Sequence, residues 1–179
     1  DILLPATLWV ESEGVTVNSD RTLTLVGHAA DAPGDAAPDW QIICEVAAAM
    51  GYGDAFAFSS AEEVFEEIRR FWNPQTGWDV RGIDYARLRQ GPVQWPAPSD
   101  DDSDRHPIRY LNDGVSQRLH TEADGTVPRL AFATPSRRAQ FFPRPHVDPA
   151  ELPDDEFPFV LNTGRLQHQW HTMTKTGRV

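Results

Sequence analysis

Residues 38–51 read PDWQIICEVAAAMG, and this stretch decides the fold class. Its apolar residues recur at spacings of three and four, which is the period of a helix with one apolar face. Asp39 stands where a carboxylate can cap the free N–H groups of the first turn, and Gly51 supplies the stop. The pattern therefore predicts a helix that begins near Asp39. Its apolar face comprises Trp40, Ile43, Val46, Ala47 and Met50.

Strand patterns precede this helix. The apolar run Ile2–Leu4 ahead of Pro5 predicts a short buried strand, and Thr22–Val26 alternates polar and apolar residues as a half-buried strand does. Gly14 is the natural turn residue between them. Alternating strands and helices predict an α/β fold.

A second helix is predicted by a capping box, in which Ser60 is followed three residues later by Glu63. Asn73 and Pro74 end this helix. Its apolar face comprises Val64, Phe65, Ile68, Phe71 and Trp72.

From Gly77 to about Arg129 the apolar residues follow neither the helical nor the strand period. Five prolines punctuate this segment, and residues 99–104 form the charge run SDDDSD. We expect a long surface loop, centred on about residues 91–128, whose middle could be disordered. Beyond it we expect a hairpin over 129–142 that turns at 134–137, and a strand over 157–161. A domain boundary is predicted at roughly residue 150, which separates residues 1–150 from 151–179.

The composition excludes several classes of partner and site. The 179 residues include 27 acidic and 16 basic side chains, and the net charge of -11 argues against binding to nucleic acid or to anionic membranes. No run of about 18 apolar residues and no leader pattern is present, so we expect neither a membrane span nor a signal peptide. We expect a cytoplasmic location. The single cysteine, Cys44, is expected to be a small buried hydrophobe. It excludes an internal disulfide, a four-thiolate zinc site and a complete iron–sulfur ligand set within this chain.

The densest set of ligand-binding groups lies in residues 162–177, NTGRLQHQWHTMTKTG. Gly164 permits close approach of backbone N–H groups to a ligand, Arg165 can grip a phosphate, and four threonine hydroxyls accompany them. A ligand loop and an ordinary polar loop with Trp170 packed on the core fit this spacing equally well. His168 and His171 lack a third ligand, so no metal site is predicted, and His171 is expected to donate to a ligand or a backbone carbonyl.

Two other segments invite a functional interpretation. Glu11 and Glu13 beside Arg21 could act as acid and base, but two exposed acids near an arginine are more often a solvated ion pair. Residues 95–98, WPAP, place an aromatic anchor in an extended segment. This anchor could pin the long loop to the body of the protein or lie at an interface.

Four stretches together resemble the molybdopterin oxidoreductases that carry molybdenum bis-(molybdopterin guanine dinucleotide). The catalytic subunits of assimilatory nitrate reductases are the most similar, and formate dehydrogenase large subunits come next. One departure from the family pattern is Val15, where a threonine is usual after the Glu-Gly pair. The matching stretches are DILLPA with Glu13-Gly14, Asn18 and Arg21; PDW at 38–40; QWP at 94–96; and TGR through QWHTMT at 163–174.

The resemblance implies a fold and a cofactor site. Residues 1–150 would be the end of a doubly wound α/β region, and residues 151–179 would supply the first strand and ligand loop of a double-psi β-barrel. This loop would contact the pterin and phosphates of one guanine dinucleotide. At the positions that match the family motif, the residues that would make these contacts are Gly164, Arg165, Trp170, His171, Thr172 and Thr174.

The resemblance also implies that the chain is a segment of a larger enzyme. The [4Fe-4S] ligands and the residue that binds molybdenum would lie outside these residues, so no catalytic residue and no metal ligand is assigned. The expected function is nitrate reduction to nitrite in the whole enzyme, with this segment inactive alone. Its partners would be the rest of that enzyme and an electron donor protein or reductase subunit. The alternatives are a formate dehydrogenase-type subunit and a non-catalytic cofactor-binding module.

Overall fold

The computed structural model of the protein describes residues 2–161. Contacts divide the chain into two units, Asp1–Gln140 and Phe141–Val179. The mixture of helices and strands in the first unit confirms the predicted α/β character. In chain order its elements are β1 (Gly14–Val17), β2 (Thr22–Val26), α1 (Asp39–Ala49), α2 (Ala61–Ile68), β3 (Trp72–Asn73), β4 (Trp78–Asp79), α3 (Tyr85–Leu88) and β5 (Val93–Gln94), with 3-10 turns at Trp9–Glu11 and Gly53–Phe56.

The strands form two small antiparallel sheets. The larger has the order β1-β2-β5, and β3 pairs with β4 in a separate hairpin. The paired strands of residues 2–161 therefore lack the parallel order of a doubly wound sheet. Gly14 begins β1 instead of making the predicted turn, which lies between Asn18 and Thr22. Arg21 closes this turn with a φ of 74°.

Helix α1 has the predicted start and stop, but its cap and its apolar face differ from expectation. Pro38 occupies the N-cap position without a side-chain hydrogen bond, and Asp39 is already the first helical residue. Gly51, at φ 89°, ends the helix. Ile43 and Met50 are 57% and 68% exposed, so this apolar face is largely uncovered within the described residues. No helix of residues 2–161 is long and apolar enough to cross a membrane.

Helix α2 begins as its capping residues predict, but it ends at Ile68 rather than at Asn73 and Pro74, and Trp72 lies in strand β3. The Ser60 hydroxyl accepts a hydrogen bond from the Glu63 N–H at 3.1 Å, and the Glu63 carboxylate accepts one from the Ser59 N–H at 2.7 Å. An N-cap of this kind contributes about 1 kcal/mol to stability. Phe65 turns inward to the core, whereas Ile68 remains 46% exposed.

The prediction of a long surface loop from Gly77 onward is wrong for its first part. Residues 78–97 contain β4, α3 and β5, and they supply most of the buried core. The pieces are two to four residues long, so they are too short to show a strand or helix period. The core comprises Leu23, Phe65, Val80, Ile83, Tyr85, Leu88, Val93 and Ala97.

Three predicted strand regions are absent from the described residues. Ile2 and Leu3 are 88% and 91% exposed and form no strand, because residues 2–161 offer them no strand to pair with. Residues 157–161 are likewise exposed and form no strand. The turn over 134–137 forms, with a hydrogen bond from the Arg137 N–H to the Thr134 carbonyl at 3.0 Å, but no hairpin strands flank it.

Gly82 allows two distant segments to touch. Its N–H donates to the Ala97 carbonyl at 2.8 Å, and the Ala97 N–H donates to the Asp79 carbonyl at 2.8 Å. A Cβ at position 82 would lie 2.2 Å from the Pro98 carbonyl oxygen, which is well inside van der Waals contact. The absence of a side chain at Gly82 is therefore a condition for this packing.

We expect Gly82→Ala to destabilise the protein by at least about 2 kcal/mol, since backbone on both sides must shift to admit the methyl group. The measurement is the midpoint of thermal unfolding. Gly91→Ala is the matched control, because a Cβ there meets nothing within 4 Å. Equal midpoints for the two variants would contradict the close approach.

Candidate functional site

A cavity of about 510 Å³ lies in the first unit, between residues 96–101 and 105–117. Its apolar lining includes three prolines, Ile108 and Leu111. A volume of this size can hold a small molecule or part of a cofactor. The charged groups on its wall are Asp100, Asp101, Arg105, His106, Arg109 and Asp113.

Arg109 is partly buried on this wall and is fixed in place from several directions. Its guanidinium donates to the Gly77 carbonyl at 3.1 Å and to the Thr76 carbonyl at 2.6 Å. It also lies 4.4 Å from the Trp95 ring centre and 4.6 Å from that of Tyr110, which are cation–π distances. Burial lowers the pKa of Arg109, Tyr110 raises it, and the Arg21 guanidinium lowers it further.

Arg21 ties the hairpin turn to residues 95–107. Its guanidinium donates to the carbonyls of Trp95, His106 and Pro107, the last two at 2.8 and 3.3 Å. The Trp95 ring centre is 5.7 Å from the Arg21 Cζ. Burial lowers the pKa of Arg21. One side chain thus holds one side of the cavity against the sheet.

His106 joins the charge run to strand β5. Its Nδ1 donates to the Gln94 carbonyl, and its backbone N–H donates to the Gln94 side-chain oxygen at 2.8 Å. Its Nε2 lies 2.6 Å from an Asp101 carboxylate oxygen. The Arg87 guanidinium donates to the carbonyls of Asp101 and Ser103 at 2.8 and 2.5 Å, so the charge run is ordered by these contacts.

An ion pair between buried Asp79 and partly buried Arg81 is linked to the cavity residue Ser116 through Trp72. Asp79 is fully buried and binds Arg81 through two hydrogen bonds of 3.0 and 2.9 Å. Hydrogen bonding to Asp79 raises the pKa of Arg81. The Arg81 guanidinium lies 3.8 Å from the Trp72 ring centre, and the Trp72 Nε1 donates to the Ser116 carbonyl at 2.6 Å. This chain of contacts positions the cavity residue Ser116.

The predicted cofactor residues Gly164, Arg165, Trp170, His171, Thr172 and Thr174 lie outside the described residues, as does His168. Residues 2–161 contain no group of three or more His, Cys, Asp or Glu side chains that could hold a metal ion.

The other segments that invited a functional interpretation have structural roles. Glu11 accepts a hydrogen bond from the Leu8 N–H at 2.8 Å and forms no ion pair with Arg21. Trp95 pins the long segment to the body of the protein through its stacked arginines. Cys44 is partly exposed on α1 rather than buried.

Sequence reasoning missed Arg109 and His106. Both lie in the segment where neither the helical nor the strand period is visible. The backbone carbonyls that they bind, and the Trp95 ring, belong to residues 12 to 33 positions away. Such contacts leave no spacing signal. The only hint is the occurrence of arginine and histidine beside a tryptophan segment.

Comparison with known proteins identifies the family. Residues 1–49 match the model of the molybdopterin oxidoreductase family. The chain is 36% identical to a nitrate reductase of Symbiobacterium thermophilum over 100% of its own length, and 35% identical to an assimilatory nitrate reductase catalytic subunit of Bacillus subtilis over 98%. It is also 35% identical to an F420-dependent formate dehydrogenase subunit alpha of Methanocaldococcus jannaschii over 99%. The chain belongs to the molybdopterin oxidoreductase family.

This member of the molybdopterin oxidoreductase family spans less than a quarter of the length of those relatives. The aligned region covers 23%, 22% and 23% of the nitrate reductase, the assimilatory catalytic subunit and the formate dehydrogenase subunit, respectively. The family implies a molybdenum–pterin cofactor.

The described residues fit such a cofactor at one point only. Arg109 offers a positioned guanidinium that suits a phosphate, but Asp100, Asp101 and Asp113 share the same wall. A whole dinucleotide needs further donors, and the glycine, threonine and histidine groups predicted for that role belong to residues 162–179. We therefore assign to the described cavity a contact with one anionic group at most.

We expect Arg21→Ala to loosen residues 95–107, because it removes three hydrogen bonds to backbone carbonyls from a partly buried cation. The measurement is the rate of trypsin cleavage after Arg105, which should rise together with a lower thermal midpoint. Arg89→Ala is the control, since Arg89 forms an exposed ion pair with Glu62 that contributes little. Cleavage at the same rate in both variants would show that Arg21 does not hold this segment.

Proposed function

We propose that the whole protein is a molybdenum oxidoreductase that reduces nitrate to nitrite. The observation that carries this proposal is the 36% identity to a nitrate reductase over the full chain. The nitrate reductase of Synechocystis, 34% identical over 99% of the chain, supports the same assignment. Alone, residues 1–179 are expected to be inactive, since the single cysteine cannot supply the ligands of an iron–sulfur cluster.

The cofactor proposed is molybdenum bis-(molybdopterin guanine dinucleotide). Gly164 and Arg165 suit its pyrophosphate, and Trp170, His171, Thr172 and Thr174 suit its pterin, because these groups offer backbone N–H, guanidinium, imidazole and hydroxyl donors. When bound, the molybdenum centre supplies the two-electron chemistry that removes oxygen from nitrate. This chain contributes binding and orientation of the cofactor.

The layout proposed for the enzyme follows the same family. Residues 1–150 would end an α/β region, and residues 151–179 would begin a double-psi β-barrel. The partners would be the rest of the enzyme, with a [4Fe-4S] cluster, and an electron donor protein or reductase subunit. A cytoplasmic location is the expectation for an assimilatory enzyme.

Formate oxidation is the second candidate function. The observation that favours it is the 35% identity to the formate dehydrogenase subunit of Methanocaldococcus jannaschii over 99% of the chain. The two functions share the cofactor type but differ in the substrate and in the direction of electron flow. Direct assay separates them.

We expect the full-length holoenzyme to reduce nitrate with a reduced viologen dye as electron donor and to leave formate unoxidised with the oxidised dye. The measurement is nitrite formed against dye consumed in the first assay, and dye reduced in the second. Protein grown with tungstate in place of molybdate is the control for a molybdenum-dependent reaction. Formate oxidation without nitrate reduction would transfer the assignment to the second candidate.

We expect Arg165→Ala in the full-length enzyme to lower cofactor retention about tenfold, because a charge-assisted hydrogen bond to phosphate is stronger than a neutral one. The measurements are molybdenum by mass spectrometry and pterin by fluorescence, each per mole of purified protein. Arg129→Ala, a substitution of an exposed arginine, is the control. Unchanged molybdenum and pterin content in Arg165→Ala would remove this residue from the site.

A further inference from the structure

We propose that the cavity beside Arg109 is an oxyanion site, in which the guanidinium binds a phosphate, carboxylate or nitrate group. The proposal deepens the proposed function, since a dinucleotide cofactor and both candidate substrates are anions. It does not depend on which substrate is turned over. Four observations support it, and each concerns residues of the first unit.

The first observation is an unbalanced charge. No carboxylate of residues 2–161 lies within 4.0 Å of the guanidinium of either Arg109 or Arg21. Both arginines stack on the same Trp95 ring, so two cations share one partly buried region. The lowered pKa of Arg109 reflects the cost of keeping this charge there. A bound anion would offset that cost.

The second observation is that Arg109 has more N–H groups than its two hydrogen bonds to carbonyls use. A guanidinium carries five N–H groups, and the contacts to Gly77 and Thr76 use two of them. The flanking rings of Trp95 and Tyr110 lie near the guanidinium and restrict its orientation. An arginine that is held in this way loses little conformational entropy when it binds an oxyanion.

The third observation is the space kept beside the guanidinium. Gly77 has a φ of 65°, and a Cβ at this position would lie 3.1 Å from the Arg109 Nη1. Any side chain at position 77 would therefore crowd the guanidinium as well as strain the backbone. The glycine leaves the approach to Arg109 open.

The fourth observation is that the carboxylates of the wall are engaged or exposed. Asp101 faces His106 at 2.6 Å and Arg87 at 4.0 Å. Asp113 accepts a hydrogen bond from the Val115 N–H at 3.0 Å, and it is exposed, as is Asp100. Water and salt screen exposed charges strongly, whereas the partly buried guanidinium is screened less. Three aspartates thus share the wall with Arg109, but none of them lies within 4.0 Å of its guanidinium.

The test uses the full-length enzyme with inorganic phosphate or nitrate as the probe, at constant ionic strength set with chloride. Arg109→Gln removes the cation. Val115→Trp enlarges an exposed residue of the cavity lining and leaves Arg109 itself unchanged, so it keeps the test decisive if Arg109→Gln folds poorly. Arg129→Gln is the control for loss of an exposed positive charge.

The thermal midpoint of the wild-type enzyme should rise saturably with the probe, and both cavity variants should weaken this response about tenfold in apparent Kd while Arg129→Gln retains it. Where a cofactor phosphate already fills the site, the response is absent in the wild type and Arg109→Gln instead lowers molybdenum and pterin content. Where the anion is the substrate, the content is unchanged and KM for nitrate or formate rises about tenfold at constant kcat.

Two results would overturn the oxyanion site. One is an anion response of equal size in the wild type and both cavity variants. The other is the absence of any response together with unchanged cofactor content and unchanged KM in both variants. Failure of the enzyme to use nitrate or formate would overturn the proposed function and leave the anion response to be judged separately.

Discussion

The contact between residues 79–82 and residue 97 is the constraint on which the first unit depends. Two backbone hydrogen bonds, each 2.8 Å long, join Asp79 to Ala97 and Ala97 to Gly82. They place Trp95 and Pro96 beside the sheet, so that a segment rich in proline becomes part of the core instead of a surface loop. Because Pro residues lack an N–H group, this segment can form few backbone bonds, and each one it forms has a large effect on its position.

Arginine side chains hold irregular segments in place by hydrogen bonds to backbone carbonyls, as regular secondary structure does in other parts of the protein. Arg21, Arg87 and Arg109 all donate to backbone carbonyls of irregular segments. A guanidinium has enough donors to satisfy several carbonyls at once, and its flat face packs on aromatic rings. The cavity wall is thus built without long strands or helices. This construction also gives Arg21 and Arg109 a structural role beside the cavity of an acidic protein.

The sequence predicts the helices better than the rest of the fold. The Gly51 stop of α1 and the Ser60 cap of α2 follow from local signals that act within one turn. The core segment 78–97 could not be predicted, because its strand β5 pairs with β2, which lies more than 60 residues before β5 in the sequence. The apolar face of α1 shows the converse. Its period predicts the helix correctly, but no periodicity can say whether other residues cover Ile43 or Met50.

The same distinction between local and long-range signals applies to the candidate site residues. The segment 162–177, predicted as a ligand loop, has its glycine, arginine and threonine residues close together in the sequence, so they can be recognised as a group. Arg109 acquires its chemical character from its surroundings: two carbonyls, two rings and a second cation bring it to a partly buried position without a carboxylate. An unpaired charge is costly only where water is scarce, and burial is a property of the fold. A site made of neighbouring residues can therefore be predicted from the sequence, whereas a site that depends on burial can be recognised only once the fold is known.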